Sequence, residues 1–179
     1  MTLTATRSYG CAGAFLTERA VSAPTFLGPA IQRATGVPSR TFDVKLAHLT
    51  MRIELTGEVP GWLSPTIQTM QHLSRLPANW SSYGSCRIAD MAIIGAAEVL
   101  ADVLAPNALA PTIVPTLQGG VQLEWHRNGA DIEIEFSSQG VVSDVYVYDR
   151  QTDRTWQPEQ VTSEAFDRLR TTINRIGQP

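Results

Sequence analysis

The stretch Val121-Gln122-Leu123-Glu124-Trp125-His126-Arg127-Asn128-Gly129-Ala130-Asp131-Ile132-Glu133-Ile134-Glu135-Phe136 decides the fold. Asn128-Gly129 separates two alternating runs, and Asn-Gly suits the two-residue turn of a β-hairpin because both residues tolerate positive φ. Such a turn fixes the register. Arg127 faces Ala130, His126 faces Asp131, Trp125 faces Ile132, Glu124 faces Glu133 and Leu123 faces Ile134. Side chains alternate across a strand, so Val121, Leu123, Trp125, Ile132, Ile134 and Phe136 share one wholly apolar face. Gln122, Glu124, His126, Asp131, Glu133 and Glu135 share the other. The sequence predicts an antiparallel sheet whose apolar face is covered by helices.

Downstream, Ser137 to Gly140 turns the chain into a third strand, Val141 to Asp149, with a weak strand near Thr155-Trp156. A four-residue loop there sets Asp144 opposite Glu133 and Tyr146 opposite Asp131. Glu124, Glu133 and Asp144 then form a row across three strands, and like charges so opposed, with Cβ atoms ~4.5–5.5 Å apart, are destabilising. From Val121 to Asp149 there are six acids and one arginine, a net charge of −5 against −3 for the whole chain. Either this is a solvated outer face that also discourages edge pairing, or something answers the charge. That something is a cation, a basic protein partner, or an arginine from the N-terminal arm or C-terminal helix.

Upstream, Thr112 to Leu117 reads as a short edge strand, since Pro115 lacks a ladder donor, and Gln118-Gly119-Gly120 as a turn. Phe42, Val44 and Leu46 alternate, then Leu49, Met51, Ile53 and Leu55 alternate in opposite phase. The slip at Ala47-His48 is a bulge or a break into two strands. Ser64-Pro65 predicts a helix start, with Ile67, Met70, Leu73 and Leu76 on one face before Pro77. A loop, Ala78 to Ser85, precedes a helix from about Cys86 to Leu104 bearing Ile88, Met91, Val99, Leu100 and Val103. The last helix, about Ser163 to Ile176, carries Phe166, Leu169, Ile173 and Ile176 on one face. The expected class is α+β: a three- to four-stranded antiparallel meander packed on one face by a helical pair and a C-terminal helix. Residues 1–41 form a poorly patterned N-terminal arm, with a short helix around Phe15 to Val21, and residues 42–179 a single domain.

Composition narrows the function classes. Among 179 residues, 43% are hydrophobic and 17% charged, enough for a sizeable core. No apolar run approaches the roughly 20 residues of a membrane span. With 14 Lys+Arg against 17 Asp+Glu, broad phosphate-backbone binding is not expected, although the arm carries four arginines against one glutamate. Cys11 and Cys86 form no CxxC, and His48, His72 and His126 have no metal-ligand spacing. Arg7, Tyr9 to Leu16 and Val21-Ser22-Ala23 imitate a secretory signal, but glycines and Glu18-Arg19 interrupt it, so a reduced cytoplasmic setting is expected.

Two segments, Asn79-Trp80-Ser81-Ser82-Tyr83-Gly84-Ser85 and Pro115-Thr116-Leu117-Gln118-Gly119-Gly120-Val121-Gln122-Leu123-Glu124-Trp125-His126, carry a resemblance. The chain resembles small uncharacterised bacterial proteins with an NWDxYGA loop, a helix, a PTxDGGxxLEW strand motif and an LEIE-like strand. The likeness runs over about residues 62–149, with Ser81 and Gln118 departing from the acids the pattern expects. It implies bacterial origin and a shared architecture, and no activity or catalytic residues.

Among individual residues, Trp80 and Tyr83 either plug the gap between helices and sheet or anchor a partner. Cys86, near a helix start, lacks a histidine partner for nucleophilic work. His126 and Asp131 face each other without a nucleophile nearby, and Gly119-Gly120 lacks the strand-to-helix setting of a phosphate loop. The expected function is a non-enzymatic protein-binding accessory or regulatory subunit, antitoxin- or immunity-like or part of a larger assembly. It binds a basic protein surface through Glu124, Asp131, Glu133, Glu135 and Asp144, with Trp80 and Trp62 as aromatic anchors. No cofactor, metal or membrane is expected. The rivals are a divalent-metal hydrolase using Glu124, Glu133 and Asp144, and nucleic-acid binding through the arm's arginines.

Overall fold

The computed structural model describes residues 3–8 and 39–177. The expected helix around Phe15 to Val21, the signal-like stretch from Tyr9 to Ala23, and Cys11 lie outside the described residues. Three helices and two antiparallel sheets make the fold α+β.

The sheet built on the Asn128-Gly129 hairpin has five strands rather than three or four. Their order is β4 (Thr112–Pro115), β5 (Val121–Arg127), β6 (Ala130–Phe136), β7 (Val142–Asp149) and β8 (Arg154–Trp156). Asn128 and Gly129 take φ of 48° and 76°, as the tight turn demands. The β5–β6 register agrees with the sequence pairing at all five predicted positions. Trp125 is 3% exposed, and Val121, Leu123, Ile132, Ile134 and Phe136 are buried on the same face.

The β6–β7 register differs from expectation. Five residues, Ser137 to Val141, connect the strands, and Ser143 is an extra residue between the Phe136–Val142 and Glu135–Asp144 pairs. Loop lengthening and bulge together displace β7 by two residues, so Asp144 faces Glu135, Tyr146 faces Glu133 and Tyr148 faces Asp131. A shift of two preserves the alternation, which is why Val145 and Val147 still point into the core.

The second sheet has the order β1 (Leu3–Ser8), β3 (Thr50–Thr56), β2 (Ser39–Lys45). The slip at Ala47-His48 is therefore a break between two antiparallel strands. Val44 pairs with Met51, which restores one apolar face of Val44, Met51, Ile53 and Leu55.

Helix α2 (Asp90–Val103) lies between the sheets, touching β1, β5 and β6. Ala92 through Ala97, Leu100 and Val103 are buried, an apolar surface nearly all round, as a helix enclosed on several sides requires. It begins at Asp90 rather than Cys86. The Cys86 and Ala89 N–H groups donate to the carbonyls of Leu117 (2.8 Å) and Gly119 (2.9 Å), holding that segment outside the helix. Met91 and Val99 are only partly buried.

Helix α1 (Leu63–Ser74) is capped at Trp62, not Ser64. Trp62 fits its indole into the core and donates Nε1–H to the Ala105 carbonyl at 3.0 Å, and the helix starts at Leu63, two residues earlier than a cap at Ser64 would give. Helix α3 (Ser163–Ile176) follows its predicted bounds, with Thr162 Oγ1 accepting the Ala165 N–H. It packs on α2 and is fastened to the hairpin sheet by Arg175–Asp149 (2.9 Å) and by Asn128 Nδ2 donating to the Ile176 carbonyl (2.7 Å). Among the described residues no helix is long and apolar enough to cross a membrane.

Candidate functional site

The outer face of the five-stranded sheet carries the acids the sequence singled out, and the register sets them in three rows. One row runs Thr112, Glu124, Glu133, Tyr146; the next runs Val114, Gln122, Glu135, Asp144; the third runs His126, Asp131, Tyr148, Thr155. Two like-charged pairs, Glu124–Glu133 and Glu135–Asp144, therefore stand directly opposed on neighbouring rows. The expected row of Glu124, Glu133 and Asp144 does not form, because the β7 displacement moves Asp144 beside Glu135.

Part of the charge is answered within the chain. Arg150 makes a fork on Asp131, with Nη2 2.9 Å from Oδ2, and His126 Nδ1 lies 3.0 Å from Oδ1. The Arg150 hydrogen bonds first, and His126 second, hold the Asp131 carboxyl below its ordinary value. The same contact with Asp131, reinforced by Glu124 at 3.5 Å from Nε2, raises the His126 pKa above its ordinary 6.5. Arg175, from the C-terminal helix, hydrogen-bonds Asp149 and lowers its pKa, with the Gln151 backbone N–H adding to the effect. An arginine from the last helix thus does answer one of the six acids.

Three of the remaining four acids, Glu124, Glu133 and Asp144, accept hydrogen bonds from amides. Gln122 Nε2 bridges Glu124 Oε1 (3.2 Å) and Glu133 Oε2 (3.0 Å), and Gln157 Nε2 donates to Asp144 Oδ1 (3.0 Å). Among the described residues Glu133, Glu135 and Asp144 have no cationic partner within ion-pair distance. Nor do any three His, Cys, Asp or Glu side chains there form a group suited to a metal ion. The carboxylates stand in rows on a pleated surface and do not converge on a point, which a hard divalent cation with several oxygen ligands needs.

The aromatic anchors fare differently. Trp62 is 4% exposed and hydrogen-bonded inside the core, so it presents no surface to a partner. Trp80 is half-buried against the core, with Nε1–H donated to the Cys86 carbonyl. Tyr83 does not fill the gap beneath its loop; it is 88% exposed. The loop is closed by its own polar groups. Asn79 Oδ1 accepts the Gly84 N–H at 2.7 Å, Ser85 Oγ accepts the Ser81 N–H, and Ser81 Oγ accepts the Tyr83 N–H. Ser81 thus supplies a side-chain acceptor to the backbone two residues on, as an aspartate does in such turns. The two motif segments abut through the Cys86–Leu117 and Ala89–Gly119 hydrogen bonds, a close approach that leaves no room for a Cβ at Gly119. Cys86 is free and exposed. Of the arm's arginines, Arg40 is exposed on β2, and Arg19 and Arg33 lie outside the described residues.

Sequence reasoning missed Asp90, Arg150 and Tyr148. Asp90 lay inside a segment read as continuous helix. Arg150 follows β7 immediately, and only the true register shows that it reaches back to Asp131. Tyr146 was expected opposite Asp131; the loop length and bulge set it opposite Glu133 and bring Tyr148 to Asp131 instead. Comparison of the chain with protein-family models, with curated proteins and with solved structures finds no match in any of the three.

Proposed function

We propose that the protein is a non-enzymatic binding subunit that presents the outer face of its five-stranded sheet to a basic surface on another protein. The observation that supports this is the pair of opposed carboxylates repeated on adjacent rows, Glu124–Glu133 and Glu135–Asp144, with Glu133, Glu135 and Asp144 lacking cationic partners among the described residues. Lysine or arginine side chains from a partner would relieve a repulsion the free protein retains. Complementary charge of this kind speeds association and selects partners. Tyr146, beside Glu133 on the same face, adds an aromatic contact of the type that dominates binding energy. An accessory or regulatory role in a larger assembly is compatible with such a face.

Two measurements test the proposal. Affinity purification of the tagged full chain from its native host, read by mass spectrometry, is expected to recover a basic partner that the double variant Glu124→Lys/Glu133→Lys loses. In the free protein, Glu133→Gln removes one of two opposed charges while keeping a hydrogen-bonding group for Gln122. It is expected to raise stability by ~0.2–1 kcal/mol in urea unfolding. A partner retained by the charge-reversed variant, or a free protein destabilised by Glu133→Gln, refutes the proposal.

A further inference from the structure

The edge of the five-stranded sheet is incomplete. β8 pairs only with Val147, Tyr148 and Asp149, whereas β7 begins at Val142. Among the described residues no strand pairs with the β7 backbone from Val142 to Tyr146 on that edge. Pro158, two residues past the end of β8, lacks an N–H and cannot extend the ladder. Pro158 to Val161 then run toward α3 and line, together with Val141 to Asp144, a groove of about 450 Å³ beside the first residues of the free edge. Its apolar lining is Val141, Val142, Val161 and Phe166; its charged lining is Asp144 and Glu159, with no cation. Val141, at the mouth of this groove, is 62% exposed.

We infer that this groove is a strand-addition site for an extended, basic and apolar segment of a partner protein, laid along β7 where β8 stops. The inference rests on the binding role proposed above and specifies a second surface for it, next to the acidic face and continuous with it through Asp144. Three features fix the occupant's chemistry. Unpaired β7 backbone groups call for another extended backbone, which supplies affinity through main-chain hydrogen bonds. The valines and Phe166 accept an apolar side chain at alternate positions, since successive side chains of a strand point to opposite sides. Asp144 and Glu159, unaccompanied by any cation in the lining, select lysine or arginine at the flanking positions. The free edge is five residues long, or roughly 16 Å at strand rise, so a pentapeptide spans it.

The test uses the full chain with valine methyls and backbone amides isotopically labelled, and three blocked pentapeptides titrated to millimolar concentration. The first alternates Lys-Val-Lys-Val-Lys, the second replaces lysine with glutamate, and the third replaces valine with glycine. The lysine–valine peptide is expected to shift the Val141, Val142 and Val161 methyls saturably and to slow amide exchange between Val142 and Tyr146. The other two peptides, which lose three lysines or two valines, are expected to bind at least about tenfold more weakly, the loss that removal of even one charged or apolar anchor gives. Val141→Lys, at an exposed turn position, is expected to weaken the lysine–valine peptide by about tenfold while leaving the methyl spectrum of the core intact. Shifts confined to Gln122, Glu124 and Glu133 overturn the groove and leave the acidic-face proposal standing. Equal binding of the glutamate or glycine peptide overturns the stated chemistry of the occupant, and no shift at any residue overturns the strand-addition site, while the acidic-face proposal stands or falls by the purification with the Glu124→Lys/Glu133→Lys variant.

Discussion

Asp90 joins α2 to the smaller sheet, and its removal gives the sharpest prediction about the fold. It stands at the first position of α2 and is 5% exposed. Its Oδ2 accepts two backbone N–H groups from the β2–β3 turn, those of His48 at 2.6 Å and Leu49 at 2.7 Å, while Oδ1 has no partner among the described residues. Hydrogen bonds to a charged group contribute roughly 1.5–3 kcal/mol each. Asp90→Ala forfeits both. The His48 N–H belongs to an exposed residue and regains water, whereas Leu49 is half-buried, so the expected loss is about 3 kcal/mol rather than the full sum. For a chain of this size that lowers the melting temperature by roughly 6–12 °C. Asp90→Asn keeps one oxygen for the two amides, loses the charge, and puts an amide donor where Oδ1 had no partner. Its expected loss is about half as large, near 1.5 kcal/mol. Urea unfolding followed by tryptophan fluorescence measures both, with an unchanged slope confirming that stability alone has moved. A loss under about 1 kcal/mol for Asp90→Ala refutes the clamp. An Asp90→Asn protein more stable than the parent shows that burying the charge outweighs the two bonds it receives.

Gly95→Ala places a Cβ against the Gly140 carbonyl, backbone against backbone across the contact between α2 and the β6–β7 turn, and is expected to destabilise by about 3 kcal/mol in thermal unfolding. Gly61→Ala, whose Cβ meets nothing within 4 Å, is the control and is expected to stay within about 0.5 kcal/mol of the parent. His126 is expected to titrate above 6.5 in an NMR pH series, and Asp131→Asn to bring it back toward that value. Because its folded-state pKa is raised, the contribution of His126 to stability is complete below pH 6.5 and fades as pH rises through the folded value. A His126 titration unaffected by Asp131→Asn contradicts the contact.

What was legible in the sequence was what short-range stereochemistry decides. Asn128-Gly129 left one way to pair β5 with β6, and that register, its faces and the burial of Trp125 follow from two residues. The phase reversal after Leu46 marked a chain break for the same reason: alternation cannot change sign within one flat strand. Loop length is a different matter. Nothing local to Ser137–Val141 specifies five residues plus a bulge at Ser143; the turn instead meets α2, where Gly140 lies against the Met91 backbone. That contact is made with a helix more than 40 residues earlier, so the position of Asp144, and with it the composition of the acidic rows, was not legible locally. The second sheet was hidden likewise, since alternating valines and isoleucines say which face is buried but not which strands are neighbours. Trp62 as an anchor failed because a tryptophan before a helix suits a surface and a core equally until the carbonyl of Ala105 is brought to it.

The two faces of β5 and β6 contribute unequally to stability, and the inequality bears on function. Each of the six apolar side chains on the inner face contributes roughly 1.5–3 kcal/mol by leaving water, whereas an opposed like-charged pair on the outer face costs only ~0.2–1 kcal/mol. The inner face therefore dictates the register whatever stands outside it, and the outer face is free to be unfavourable without endangering the fold. Threonine or lysine at Glu133 or Glu135 would serve the sheet better than carboxylates facing carboxylates. Solubility does not require carboxylates to face each other either, since a surface with both signs interspersed is soluble. An unfavourable pattern that the fold neither needs nor resists, set on two neighbouring strand pairs and leading through Asp144 to an unpaired strand edge, is what a basic partner would exploit. In the proposed complex, the repulsion removed on binding would add to affinity, so the same carboxylates that slightly weaken the free protein would favour that complex.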